Sequence, residues 1–74
     1  MKDVIVEIKL GQRLKELREE NGFTQKELAT QLEINSVTYL RYEKAQRTPP
    51  LEFLVKIAKF YGVSIDYLLG IKEY

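Results

Sequence analysis

FTQKELATQLEINSVTYLRYE, residues 23–43, decides the fold of this chain. It holds two helix starts in quick succession. Thr24 and Glu27 stand at the spacing of a capping box, in which a hydroxyl and a carboxylate each satisfy an orphan amide of the first turn. Phe23 and Leu28 occupy the flanking staple positions. The first helix carries Leu28, Ala29 and Leu32 on one face and ends near Glu33. Asn35 opens the second, because its side-chain oxygen accepts from amides that have no carbonyl one turn back. Ile34 and Tyr39 repeat the staple, and Tyr39 and Tyr42, three apart, form the inner face. Two capped helices joined by a tight break fit a helix-turn-helix over Gln25 to Lys44, with small Ala29 where the pair comes close.

Helical punctuation continues outward. Leu10, Leu14 and Leu17 recur at spacings of four and three, predicting a helix from Leu10 to Glu20 that Asn21-Gly22 stops. Gln46 to Pro50 reads as a loop, since adjacent prolines exclude a continuing helix. A fourth helix is expected from Leu51 to Tyr61 with Leu51, Leu54, Ile57, Ala58 and Tyr61 inward, closed by Gly62. Ser64 caps a fifth, Ile65 to Leu69, with Val63 and Leu68 as its staple and Gly70 as its stop. The expected fold class is therefore all-α, a compact five-helix bundle. Upstream, Val4, Val6, Ile8 and Leu10 alternate with Ile5, Glu7 and Lys9, a period of two that predicts a short N-terminal strand. Extension of the first helix through Ile5 and Ile8 is the alternative. A lone strand needs a partner, either residues 71–74 or another copy of the chain. The domain layout expected is an extension over residues 1–9, the helical domain over 10–70 and a tail over 71–74.

Composition narrows the function classes. Hydrophobic residues make up 45% and charged residues 31%, the balance of a folded domain. At 74 residues the core is small, and with no cysteine to form a disulfide, oligomerisation is the natural source of extra stability. No apolar run approaches a membrane span and no secretory signal pattern is present, so a cytoplasmic setting is expected. Net charge is only +1, but it is unevenly spread. Residues 36–59 hold five basic side chains (Arg41, Lys44, Arg47, Lys56, Lys59) against two acidic ones, whereas the segments on either side are each at −1. Such concentration suits a phosphate-facing edge, although a solvated face gives the same bias. Histidine and cysteine are both absent, which removes the usual metal ligands, imidazole base and thiol nucleophile. There is no P-loop or GxGxxG pattern. The chain reads as a non-enzyme with no cofactor.

Beyond these signals, LKELREENGFTQKELATQLEI (residues 14–34) and RYEKAQRTPPLEFLVKIAKFYGVSIDYLLG (residues 41–70) resemble the phage repressor/Cro (Xre-like) family of DNA-binding domains. The resemblance covers roughly Leu10 to Gly70. It implies a lambda-repressor-like bundle that binds double-stranded DNA at a palindromic operator as a homodimer and regulates transcription, with a repressor the expected kind. By the same resemblance, Gln25 touches phosphate and supports the first recognition residues. Asn35 caps the recognition helix, about residues 36–43, and reaches a phosphate or base edge. Ser36, Val37, Thr38 and Arg41 face the major groove, where Arg41 can donate to guanine and Val37 can pack on a thymine methyl. Lys44 and Arg47 match the phosphate-contacting loop. Arg18 and Glu43 match an ion pair between the first and third helices.

Four positions depart from the family pattern. Glu33 and Ala45 stand where glycine is frequent, Tyr39 where isoleucine or valine is usual, and apolar Leu40 where a polar residue is common. An alternative function from another class is a protein-interaction module, an antitoxin or anti-repressor component using Leu40, Val37 and the tyrosines to grip a partner. Within residues 1–74 no small-molecule ligand domain accompanies the helices, so a separate regulatory protein is a possible source of control. The Val4-Val6-Ile8 ridge and residues 65–74 are the expected places for a dimer surface.

Overall fold

A computed structural model describes residues 5–73. Five helices follow one another: α1 (Ile5–Glu20), α2 (Gln25–Leu32), α3 (Ser36–Glu43), α4 (Leu51–Tyr61) and α5 (Ile65–Leu68). The expected all-α bundle is present, and the boundaries of α2, α3 and α4 fall within a residue of those read from the caps. Thr24 Oγ1 accepts from Glu27 N at 3.0 Å while Glu27 Oε1 accepts from Thr24 N at 2.9 Å, completing the capping box. Asn35 Oδ1 accepts from Val37 N and Thr38 N, and Ser64 Oγ from Tyr67 N. One core gathers Leu10, Leu14 and Leu17 from α1, Leu28, Ala29 and Leu32 from α2, Tyr39 and Tyr42 from α3, Phe53, Leu54, Ile57 and Ala58 from α4, and Leu68 from α5.

Two expectations fail. Residues 5–10 form no strand; they are the first turns of α1. Val6, Leu10, Leu14 and Leu17 lie four, four and three apart, so a helix keeps Leu10 in the core and satisfies its own backbone, which an unpaired strand does not. Val6 and Ile8 therefore do not share a ridge, and Val4 lies outside the described residues. The second failure is Leu51, placed inward from sequence but 80% exposed. Phe53 takes the core position instead, its ring centroid 4.7 Å from that of Tyr42 and 6.5 Å from that of Tyr39. Leu51→Ala is accordingly expected to change stability by no more than ~0.5 kcal/mol, read from the urea midpoint.

The helices end alike. Gly22, Glu33, Ala45, Gly62 and Gly70 all have positive φ at or just past a helix end, and in each case the next residue's amide bonds back to a carbonyl of the last turn. Glu33 (φ 60°) and Ala45 (φ 58°) adopt this conformation with a side chain attached, a strained state for which glycine is the usual solution. Both flank α3. Lys56 donates to the carbonyl of Leu32, placing a cation at the C-terminal end of α2, where the helix dipole favours one.

Gly11 sets how near α1 comes to α3. A Cβ built there would lie 2.3 Å from the Glu43 carbonyl oxygen and 3.1 Å from that of Tyr42. Only a residue without a side chain lets α1 rest against the backbone that ends α3. Nearby, the Thr48 hydroxyl donates to Glu7 Oε2 at 3.2 Å, joining the first turn of α1 to the loop after α3. Helix α5 and the segment after it both meet α1: the Arg13 guanidinium sits 4.2 Å above the Tyr67 ring centroid and 3.7 Å from Glu73.

Candidate nucleic-acid interface

Helix α3 has two distinct faces. Tyr39 and Tyr42 are buried; Arg41 is exposed and Val37 is 53% exposed on the opposite side, one turn apart. Ser36, Thr38 and Leu40 are half-buried along the flanks. An apolar Leu40 is thus partly covered by the fold. Asn35 uses its side-chain oxygen as the helix cap, which leaves its amide N–H groups to donate elsewhere. Just past the helix, Lys44 and Arg47 are exposed in the turn shaped by Ala45. Among the described residues, Arg41, Lys44 and Arg47 form no ion pair, so their charge is not neutralised by neighbouring carboxylates. The structure thus leaves Val37 and Arg41 exposed on the outer side of α3, and Lys44 and Arg47 exposed in the turn that follows it.

Beneath this surface, α1, α2 and α3 are joined by one carboxylate. Glu43, whose side chain is 4% exposed, receives Arg18 Nε at 2.7 Å on Oε2 and Arg18 Nη2 at 3.3 Å on Oε1. The Arg18 side chain is 11% exposed and also donates to the carbonyl of Phe23 at 2.9 Å. Gln25 Nε2 donates to Oε1 at 3.1 Å, and the Tyr39 hydroxyl donates to Oε2. Burial by itself would raise the Glu43 carboxyl; hydrogen bonds from Arg18, Tyr39 and Gln25, with the Arg18 charge, outweigh it and hold the group below the usual glutamate range. Burial and the adjacent Glu43 push the Tyr39 phenol up, so it stays a donor. Tyr61, whose buried hydroxyl has no partner among the described residues, is pushed up to about 12 by burial and then by the Glu43 charge.

The ion pair between Arg18 and Glu43 was legible by resemblance. Gln25 was not fully read: it faces Glu43 as well as the outer end of α2. Pattern alone missed the Tyr39 hydroxyl, because tyrosines three apart on an apolar face signal only core. The i,i+4 spacing of Tyr39 and Glu43 was the available clue.

A capped helix pair that buries one side of its second helix and presents polar, basic and small apolar side chains on the other defines a helix-turn-helix domain. Sequence comparison agrees. The chain belongs to the helix-turn-helix family, whose profile matches residues 14–68. It is 47% identical over 64 residues to the HTH-type transcriptional regulator ImmR of Bacillus subtilis (strain 168), covering 86% of this chain and 50% of that protein. It is 41% identical over 61 residues to the cryptic phage CTXphi transcriptional repressor RstR of Vibrio cholerae, covering 82% and 55%. A third relative, the HTH-type transcriptional activator BcrR of Enterococcus faecalis, is 33% identical over 66 residues, or 89% of this chain and 32% of its own. The chain spans about half the length of the first two. Among the described residues, no helix is long and apolar enough to cross a membrane.

Proposed function

We propose that this domain binds double-stranded DNA in a sequence-specific way and regulates transcription from a palindromic operator, as a homodimer in the cytoplasm. The observation that carries the reading is the outer surface of α3 with the turn after it: Val37 and Arg41 exposed one turn apart, then exposed Lys44 and Arg47. Arg41 donates to guanine O6 and N7, Val37 meets a thymine methyl, and Ser36, Thr38 and the Asn35 amide donate to base edges or phosphate. Lys44 and Arg47 contact phosphate, as does the second amide N–H of Gln25 beside the first turn of α2. Two such helices on a dimer would enter successive major grooves about 34–36 Å apart.

Selection of bound duplexes from a random pool tests this directly. Two inverted half-sites are the expected product, with affinity falling steeply as salt rises. On the selected duplex, Arg41→Ala should cost about 1–3 kcal/mol and relax discrimination at one base pair. Arg47→Ala should weaken all sequences alike and lower the salt slope by about 1. Unaltered binding by both variants would remove this surface from consideration, and salt-insensitive capture of a protein partner in place of DNA would favour an interaction module.

A further inference from the structure

Glu43 has two carboxylate oxygens with different company. Oε2 takes the Tyr39 hydroxyl and Arg18 Nε, while Oε1 takes Gln25 Nε2 and the longer Arg18 contact. The terminal torsion of a glutamate is broad and nearly two-fold, and the Arg18 fork spans both oxygens unevenly, 2.7 Å to Oε2 against 3.3 Å to Oε1, so by itself it holds the carboxylate plane loosely. Tyr39 supplies the second constraint. Its ring is fully buried between α3 and α4, with Phe53 alongside, so its hydroxyl has little freedom. With Oε2 held from α1 and from α3, Oε1 is left toward the start of α2. An ionised carboxylate can only accept, so it turns the Gln25 amide nitrogen toward itself and leaves one further N–H for an acceptor outside the protein.

We infer that Tyr39 is a positioning residue for DNA binding: its hydroxyl fixes the Glu43 carboxylate, and Glu43 orients the Gln25 amide toward the phosphate backbone. The inference rests on the DNA-binding reading above, and it assigns a role to a side chain that packing alone would treat as core. Loss of the hydroxyl leaves the ring, and hence the packing, in place. It lets the carboxylate turn and frees the Gln25 amide to rotate away.

A double-mutant cycle on the selected duplex, with the folded state of each variant checked by thermal melts, tests it. Tyr39→Phe and Gln25→Ala should each weaken binding by roughly fivefold, the size of one hydrogen bond. The double variant should be no weaker than Gln25→Ala alone, because both changes remove the same contact. Tyr61→Phe, which removes a nearby hydroxyl that has no partner among the described residues, should leave affinity unchanged. The Gln25 side-chain amide resonances of the free protein give a DNA-independent readout, and Tyr39→Phe should move them toward those of an exposed glutamine. Additive losses in the cycle, or resonances that stay in place, would overturn the inference while DNA binding itself stands. A wild-type protein that retains no duplex, even at low salt, would instead overturn the functional reading and the DNA-facing part of this one.

Discussion

Gly11→Ala should destabilise the domain by about 3 kcal/mol, although the same change in an exposed helix stabilises by about 1. The sign reverses because the added methyl meets backbone and not a flexible side chain. The Glu43 carbonyl, 2.3 Å from the new Cβ, cannot swing aside without moving the end of α3. Relief requires α1 and α3 to separate, which opens the core to which α1 contributes Leu10 and Leu14 and α3 contributes Tyr39 and Tyr42. For a chain this size the whole folding free energy is on the order of 4–11 kcal/mol, so the loss should be plain in a urea titration. A variant with a raised urea midpoint would show that the two helices have room to spare.

Removing Arg18 should be as damaging, and it should also change how stability responds to acid. Arg18→Met keeps most of the apolar stem but leaves a carboxylate nearly out of reach of water, a situation that costs about 3–5 kcal/mol near neutral pH. In the wild-type protein the folded-state pKa of Glu43 lies below its ordinary value of 4.5. Its contribution is thus present above that value and fades as the pH falls through and below it. Without Arg18, the strongest donor is gone and burial governs. The folded pKa then rises above the unfolded one, and the variant gains stability on acidification from neutral toward about 4.5. Urea unfolding of both proteins across that range measures the two slopes. Parallel slopes would mean that Arg18 does not govern the charge on Glu43.

Helix ends were the most readable part of this chain, because caps are local. Thr24 and Glu27, Asn35 and Ser64 each declare a first turn through atoms no more than three residues apart, and nothing elsewhere in the fold can override them cheaply. Faces were harder where apolar residues crowd. In LEFLVKIAKFY, two rotations of the helix both bury a plausible stripe, and the choice of Phe53 over Leu51 was made by the rings of Tyr39 and Tyr42, far away in sequence. Residues 5–10 misled for a related reason. Their β-branched alternation is a packing preference that has force only when a neighbouring strand exists. Gly11 gave no signal at all, since a glycine inside a helix looks like a defect until the helix against it is known. Of the candidate interface, Arg41, Lys44 and Arg47 were readable as charges and Val37 as an outward position, whereas the bond from Gln25 to Glu43 depended on a meeting of α2 and α3.

The two faces of α3 have unequal freedom to change. Its inner side is fixed by Gly11, by a carboxylate shared among three helices and by two tyrosine rings. Its outer side, at Val37 and Arg41, touches little of the protein. Substitutions there can accumulate at small cost to folding, while the backbone that presents them stays put. On the proposed reading of this surface, a domain built this way can acquire a different recognition sequence through a few side-chain replacements, each selectable on its own, without passing through an unstable intermediate.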